Sequence, residues 1–153
     1  MTTVETDAVE REVRIEARPE TIFPFFTDPE RMVRWMGTTA EVDPRAGGIY
    51  RVDITGDRVA RGEYVEVSPP HRVVFTWGWE TEDSPVRPGG STVEVTLTPD
   101  GDHTLVRLVH SGLPSGESAN AHGDGWDHYL PRLAIAATGS DAGPDPWAAT
   151  DAD

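Results

Sequence analysis

Residues 62–77, GEYVEVSPPHRVVFTW, read as two antiparallel strands joined at Pro69-Pro70, and this pair limits the fold more than any other stretch. In its second half Val73, Phe75, Trp77 and Trp79 share one face by the two-residue period of a strand, with Val74, Thr76 and Gly78 on the other. Two indoles on one strand face are costly to expose. They must pack against a helix or line a pocket, so the pattern points to a curved sheet that holds something.

The flanking sequence extends this pair into a meander. Val9 to Ala17 alternates as a first strand, with Val9, Arg11, Val13 and Ile15 on one face. Pro19 stands where a helix begins, and Ile22, Phe23, Phe25 and Phe26 suit a short helix that Pro24 limits. Asp28-Pro29 signals the cap and first position of a second short helix ending near Met36-Gly37. Strands are then expected at 41–44, from Ile49, over 59–68, over 71–79, around Val93 to Leu97 and over 104–111, joined by turns rich in Gly, Pro and Asp. After Pro114 the apolar period changes. Trp126, Tyr129, Leu130, Leu133, Ala134 and Ala137 recur at helical spacing, with Asp124 the expected cap and Pro131 an expected kink. The order predicts an α+β fold: a curved antiparallel sheet wrapped around a long C-terminal helix, with two short helices after the first strand.

One domain is the expectation for 153 residues, with a flexible stretch at 1–8, the folded body at 9–138 and a disordered acidic tail at 139–153. The chain has no cysteine, which removes disulfides, thiolate metal sites and cysteine nucleophiles. It carries 27 acidic residues against 13 basic ones, all of them Arg, for a net charge of -14. Such a surface repels phosphate backbones and anionic lipid, so neither nucleic acid nor a membrane is an expected partner. An acidic N-terminus without an apolar segment leads us to expect a soluble, cytoplasmic protein.

Few residues carry recognisable chemistry. His110 is expected to face inward near Trp126, as a general base, a ligand hydrogen-bond partner or a satisfied structural histidine. Glu63 and Glu66 lie on opposite faces of one strand, so one points inward unless a bulge intervenes; an inward, paired Glu63 is the second acid-base candidate. His122, Asp124, Asp127 and His128 cluster near the last helix, but their spacing matches no metal signature, and we expect no metal and no cofactor. Tyr50, Phe75, Trp77, Trp79, Trp126 and Tyr129 converge on the sheet-helix interface, where they fill the core or surround an apolar ligand; Trp35 is placed at the mouth.

Several strings in fixed order give the chain a resemblance. They are Pro19-Glu20 with Phe23, Thr27-Asp28-Pro29-Glu30 running to Trp35, Arg45 with Gly47-Gly48, Gly62-Glu63-Tyr64, Pro69-Pro70 with Arg72, Phe75 and Trp77, His110-Ser111-Gly112-Leu113, and Gly125-Trp126 with Leu130 and Leu133. Over residues 9–138 the chain resembles the START-like (SRPBCC) superfamily and, within it, the family of the activator of heat-shock-protein-90 ATPase homologue. The resemblance implies a helix-grip fold and a cavity for a small hydrophobic molecule, bound by Trp35, Tyr50, Phe75, Trp77, Trp79, His110, Trp126 and Tyr129. It also implies two alternatives: a cyclase- or hydrolase-like enzyme using the same cavity, or a chaperone-linked interaction module. A homodimer through the sheet edges is a further possibility.

Overall fold

A computed structural model describes residues 7–56, 58–81, 84–143 and 145–147. One seven-stranded antiparallel sheet runs in the order β1-β7-β6-β5-β4-β3-β2, with β1 at Asp7–Ile15, β2 at Thr39–Val42, β3 at Ile49–Asp53, β4 at Val59–Ser68, β5 at Arg72–Trp77, β6 at Ser91–Asp100 and β7 at His103–Leu113. After β1 come α1 (Pro19–Ile22), a 3-10 turn (Phe23–Phe26) and α2 (Pro29–Met32); α3 (Gly116–Ala137) closes the chain. The α+β, helix-grip architecture read from the sequence is the architecture present.

Local chemistry explains most boundaries. The Asp28 carboxylate accepts from the Glu30 N–H at 3.0 Å and caps α2. Arg18 supplies no side-chain cap to α1, where Pro19 fills the first position instead. The carbonyls left open at the end of the 3-10 turn are met from elsewhere. Trp35 donates its indole N–H to Phe25 O at 2.9 Å, and Tyr64 its hydroxyl to Phe26 O at 2.8 Å.

Register irregularities fall between Asp7 and Val9 on β1 and between Tyr64 and Glu66 on β4. The second settles the alternation of β4. With a bulge there, Tyr64 is buried while Glu63 is exposed and Glu66 pairs at the surface with Arg72 (3.1 Å), so neither glutamate turns inward. Gly62 is required at this corner, because a Cβ would collide with the backbone of Thr76. Gly62→Ala is expected to cost more than about 2 kcal/mol by forcing β4 away from β5, measurable as a lowered urea midpoint.

The C-terminal helix starts eight residues before the expected Asp124 cap. Ser115 is the N-cap, its hydroxyl accepting from Ser118 N–H at 3.1 Å, and Asp124 lies inside the helix. The early turns bury Ser118 and Gly123 rather than large apolar side chains, so the apolar stripe fades there although the helix continues. Gly123 allows α3 close to β1, since a Cβ would meet the Arg11 guanidinium at 2.7 Å and Val9 at 3.8 Å. Arg11 and Asp127 join the same two elements at 2.6 Å. The helix also runs through Pro131.

Residues 139–143 and 145–147, assigned from composition to a disordered tail, fold back on the body. Arg132 donates to the carbonyls of Ala142 (3.3 Å), Gly143 (2.8 Å) and Trp35 (3.1 Å), joining the segment to the short helices. Trp147 stacks on His128 with ring centroids 3.9 Å apart. The rest of the expected tail, and residues 1–6 of the expected flexible start, lie outside the described residues. Among the described residues no helix is long and apolar enough to cross a membrane.

Candidate functional site

The inward faces of β5, β7 and α3 bring three indoles and two imidazoles together. Trp77 ends β5, and Trp79 follows beyond it in an isolated bridge to Ala60. His110 comes from β7, while His122, Trp126 and Tyr129 project from α3 at spacings of four and three, one helical face. The Trp77 ring lies 5.4 Å from Trp79, 5.5 Å from Trp126 and 5.8 Å from His110, and the two imidazoles meet edge to face at 4.9 Å.

Hydrogen bonds fix both tautomers. An indole N–H can only donate, so His110 Nδ1 accepts from Trp126 (3.1 Å) and His122 Nε2 accepts from Trp79 (3.1 Å). The remaining nitrogens then carry the protons. His110 Nε2–H donates to Ser91 Oγ at 2.8 Å, and the Ser91 hydroxyl donates to Trp77 O at 2.8 Å. His122 Nδ1–H donates to Ser118 O at 2.8 Å. Burial pushes His110 down to about 3, with a smaller contribution from His122. Burial also lowers His122; Arg58 adds to that effect and the bond to Ser118 opposes it.

A cavity of about 110 Å³ opens against these rings. Trp77, Trp79, His122, Trp126 and Tyr129 form its aromatic wall, Met36 and Ile54 add apolar surface, Ala121 and Gly125 line the α3 side, and Thr55, Arg58 and Trp147 complete it. Arg58 sits over the Trp79 face, 4.3 Å from the ring centroid. Tyr129 donates to Asp145 Oδ2 at 2.7 Å, and burial together with that carboxylate raises its pKa. Burial works to raise Asp145, but hydrogen bonds from His128, Trp147 N–H and Tyr129 outweigh it and hold the carboxyl low.

Four of the expected ligand-contacting residues, Trp77, Trp79, Trp126 and Tyr129, line this cavity; the other four do not. Tyr50 and Phe75 stack at 4.1 Å within the core, each 1% exposed. Trp35 is packed edge-on against Phe26 at 5.4 Å, in the core and not at a mouth. His110 stands behind the cavity wall with both ring nitrogens bonded. Glu63, exposed on β4, does not join the site. The His122, Asp124, Asp127 and His128 group also separates: Asp127 pairs with Arg11, His128 with Asp145, and His122 with Trp79. Sequence reading missed His122, Arg58, Met36, Ile54 and Trp147 as cavity residues. For His122 a signal existed, since it lies four residues before Trp126 on the same helical face.

A wider depression of about 520 Å³ lies between Val33, Arg34, Gly37 and Thr38 on one side and residues 139–143 with Asp145 on the other. Its Arg132 is already engaged by three carbonyls. The aromatic cavity is the better-built site.

A curved antiparallel sheet gripping one long helix, with a small aromatic cavity between them, defines a START-like helix-grip domain. The family model described as Activator of Hsp90 ATPase homolog 1-like protein matches residues 16–138, and the chain belongs to that family. An AHSA1-like protein from Rhizobium etli is 48% identical, with 97% of this chain and 92% of that chain covered and a TM-score of 0.75. An HSP90 activator from Plasmodium falciparum is 26% identical, covering 82% of this chain and 92% of that one with a TM-score of 0.68. An uncharacterized protein of Schizosaccharomyces pombe is 25% identical over 132 residues, 83% of this chain; the chain spans 36% of the length of that curated relative.

Proposed function

We propose that the protein binds a small, mostly apolar molecule in the cavity between its sheet and α3, without cofactor or metal. The observation that carries this reading is the cavity itself, a surface-opening pocket walled by Trp77, Trp79, Trp126 and Tyr129 at the edge of a closely packed core. Its size limits the occupant. A dry cavity of about 150 Å³ accepts benzene, so about 110 Å³ holds a compact ring or a short branched chain, with the open side beside Trp147 free for any longer part of the ligand. Affinity comes from burial of apolar area, at about 25 cal/mol per Å².

An acid-base enzyme is the weaker reading of the same cavity. His110 is held neutral with both nitrogens occupied, and Glu63 faces solvent on a strand that does not present it to the cavity.

The test uses Gly125. This residue lines the cavity, and a Cβ built on it meets nothing within 4 Å, so Gly125→Leu fills the void without a backbone clash. Leu also exceeds Gly in helix propensity by roughly 0.5–1 kcal/mol, so the variant is expected to fold at least as well. Native mass spectrometry of the wild type from its own cells should show a small apolar molecule that Gly125→Leu lacks. A bare wild-type mass, with no rise in Tm on adding single-ring probes, would overturn the proposal.

Trp147 is 48% exposed and borders the cavity, so it controls entry more than stability. Trp147→Ala is expected to cost about 1 kcal/mol or less, to speed ligand dissociation several-fold and to admit larger rings. Stopped-flow displacement by a fluorescent single-ring probe measures the change.

A further inference from the structure

Among the described residues that line the aromatic cavity, Arg58 alone is charged. The other polar side chains of the wall are committed. His122 has both ring nitrogens bonded, the Trp79 N–H goes to His122, Tyr129 donates to Asp145, and Thr55 is engaged as well. Arg58 sits in the connection from β3 to β4, where its carbonyl accepts from Ile54 N–H at 2.8 Å, and its guanidinium carbon lies 4.3 Å from the Trp79 ring centroid. Its charge is felt at two side chains of α3. Burial is the main cause of the lowered His122 and the raised Tyr129, and the Arg58 charge adds to the first shift and opposes the second. In a chain with 27 acidic residues against 13 basic ones, most arginines bridge to a carboxylate, yet among the described residues no carboxylate bridges Arg58. Asp145, the carboxylate behind Tyr129, is taken up by His128, Tyr129 and the Trp147 N–H and is not part of the lining.

We propose that the ligand is a small amphipathic monoanion, with its apolar ring or chain in the aromatic cavity and its one charged group, a carboxylate or a like oxyanion, on the Arg58 guanidinium at the open side. The inference rests on the binding reading above and adds the polar end of the ligand. A guanidinium has five N–H donors in one plane and no acceptor, a fork that suits an oxyanion able to accept two bonds at once. Arg58 is exposed, so the anion gains a charge-assisted bond while its outer side stays in water and little hydration is lost. A neutral molecule of the same shape gains no such bond, and a cation is repelled. A second negative charge would find no second cation in the lining and would face the field of a chain of net charge -14.

The experiment is calorimetric titration of the full chain at neutral pH with cyclohexanecarboxylate and its neutral near-isostere cyclohexanecarboxamide. Both should bind the wild type, the carboxylate roughly fivefold to tenfold more tightly. Arg58→Gln should remove that preference, Arg58→Lys should keep most of it, and raising the salt to about 0.5 M should shrink it in the wild type. An unchanged Tm shows that these surface variants are folded. Gly125→Leu should lose both probes, which places them in the cavity. Equal affinities in the wild type, or a preference that survives Arg58→Gln, overturn the anion assignment and leave cavity binding standing. Tighter binding of cyclohexylammonium overturns it too, and tighter binding of the geminal dicarboxylate overturns the limit to one charge. Carboxylate binding that survives Gly125→Leu overturns the placement of its ring. Failure of both probes to bind the wild type overturns this inference and the binding reading together.

Discussion

Replacing Trp126 by alanine is expected to lower the unfolding free energy by about 3–5 kcal/mol, the range for a large buried aromatic removed from a packed core. Two losses combine. The side chain, 3% exposed, leaves a void beside Trp77 and the cavity, and His110 Nδ1 loses its donor inside the core. Trp126→Phe comes closer to separating them, because it removes the N–H while keeping most, though not all, of the apolar volume. It should cost about 1–3 kcal/mol, as expected for a buried acceptor left unpaired. Urea unfolding at neutral pH measures both variants. A Trp126→Phe protein as stable as the wild type would show that the indole–imidazole bond contributes nothing.

Stability should fall as the pH drops from 6.5 to 4.5, by roughly 2–3 kcal/mol from His110 alone. A pH unit or more above 6.5 the ring is neutral in both folded and unfolded chains and the contribution is flat. Below it the unfolded chain takes up a proton, whereas the folded chain resists until about pH 3, so acid favours unfolding across the interval between. His122, also lowered by burial, acts in the same direction. The paired carboxylates of Glu66 and Glu80 titrate below this interval, and their stabilisation is present above the ordinary carboxylate range and lost only in stronger acid. The measurement is the urea midpoint across this pH range, with 15N shifts of the His110 ring recorded alongside. A flat stability profile, or a His110 ring that protonates near pH 6, would refute the account.

The strands and short helices were legible because a two-residue period, a Pro start and an Asp cap are local signals, and local physics decided them. Trp77, Trp79, Trp126 and Tyr129 were legible as cavity residues for the same reason: their faces follow from spacing alone. Tyr50 and Phe75 share those faces, yet they stack on each other in the core, and depth along a strand is set by how neighbouring elements close over it. Trp35 turned inward because the Phe25 carbonyl needed a donor, a demand visible only once the 3-10 turn exists. Glu63 depended on a bulge at Tyr64, which alternation cannot place. The start of α3 was hidden because its first turns bury Ser and Gly in place of an apolar stripe.

Trp147, whose backbone N–H bonds Asp145, lies beyond residues 16–138, the span that the family model matches, yet it supplies part of the cavity's border. The frame and the door are therefore built from separate stretches of chain. Changes at Trp147 can widen or narrow the entrance while the sheet, α3 and the indole–imidazole pairs stay as they are. On the binding reading proposed above, the exposed Trp147 is the place where the ligand's outer part can be respecified at little cost to folding, whereas Asp145, bonded to His128 and Tyr129, belongs to the frame.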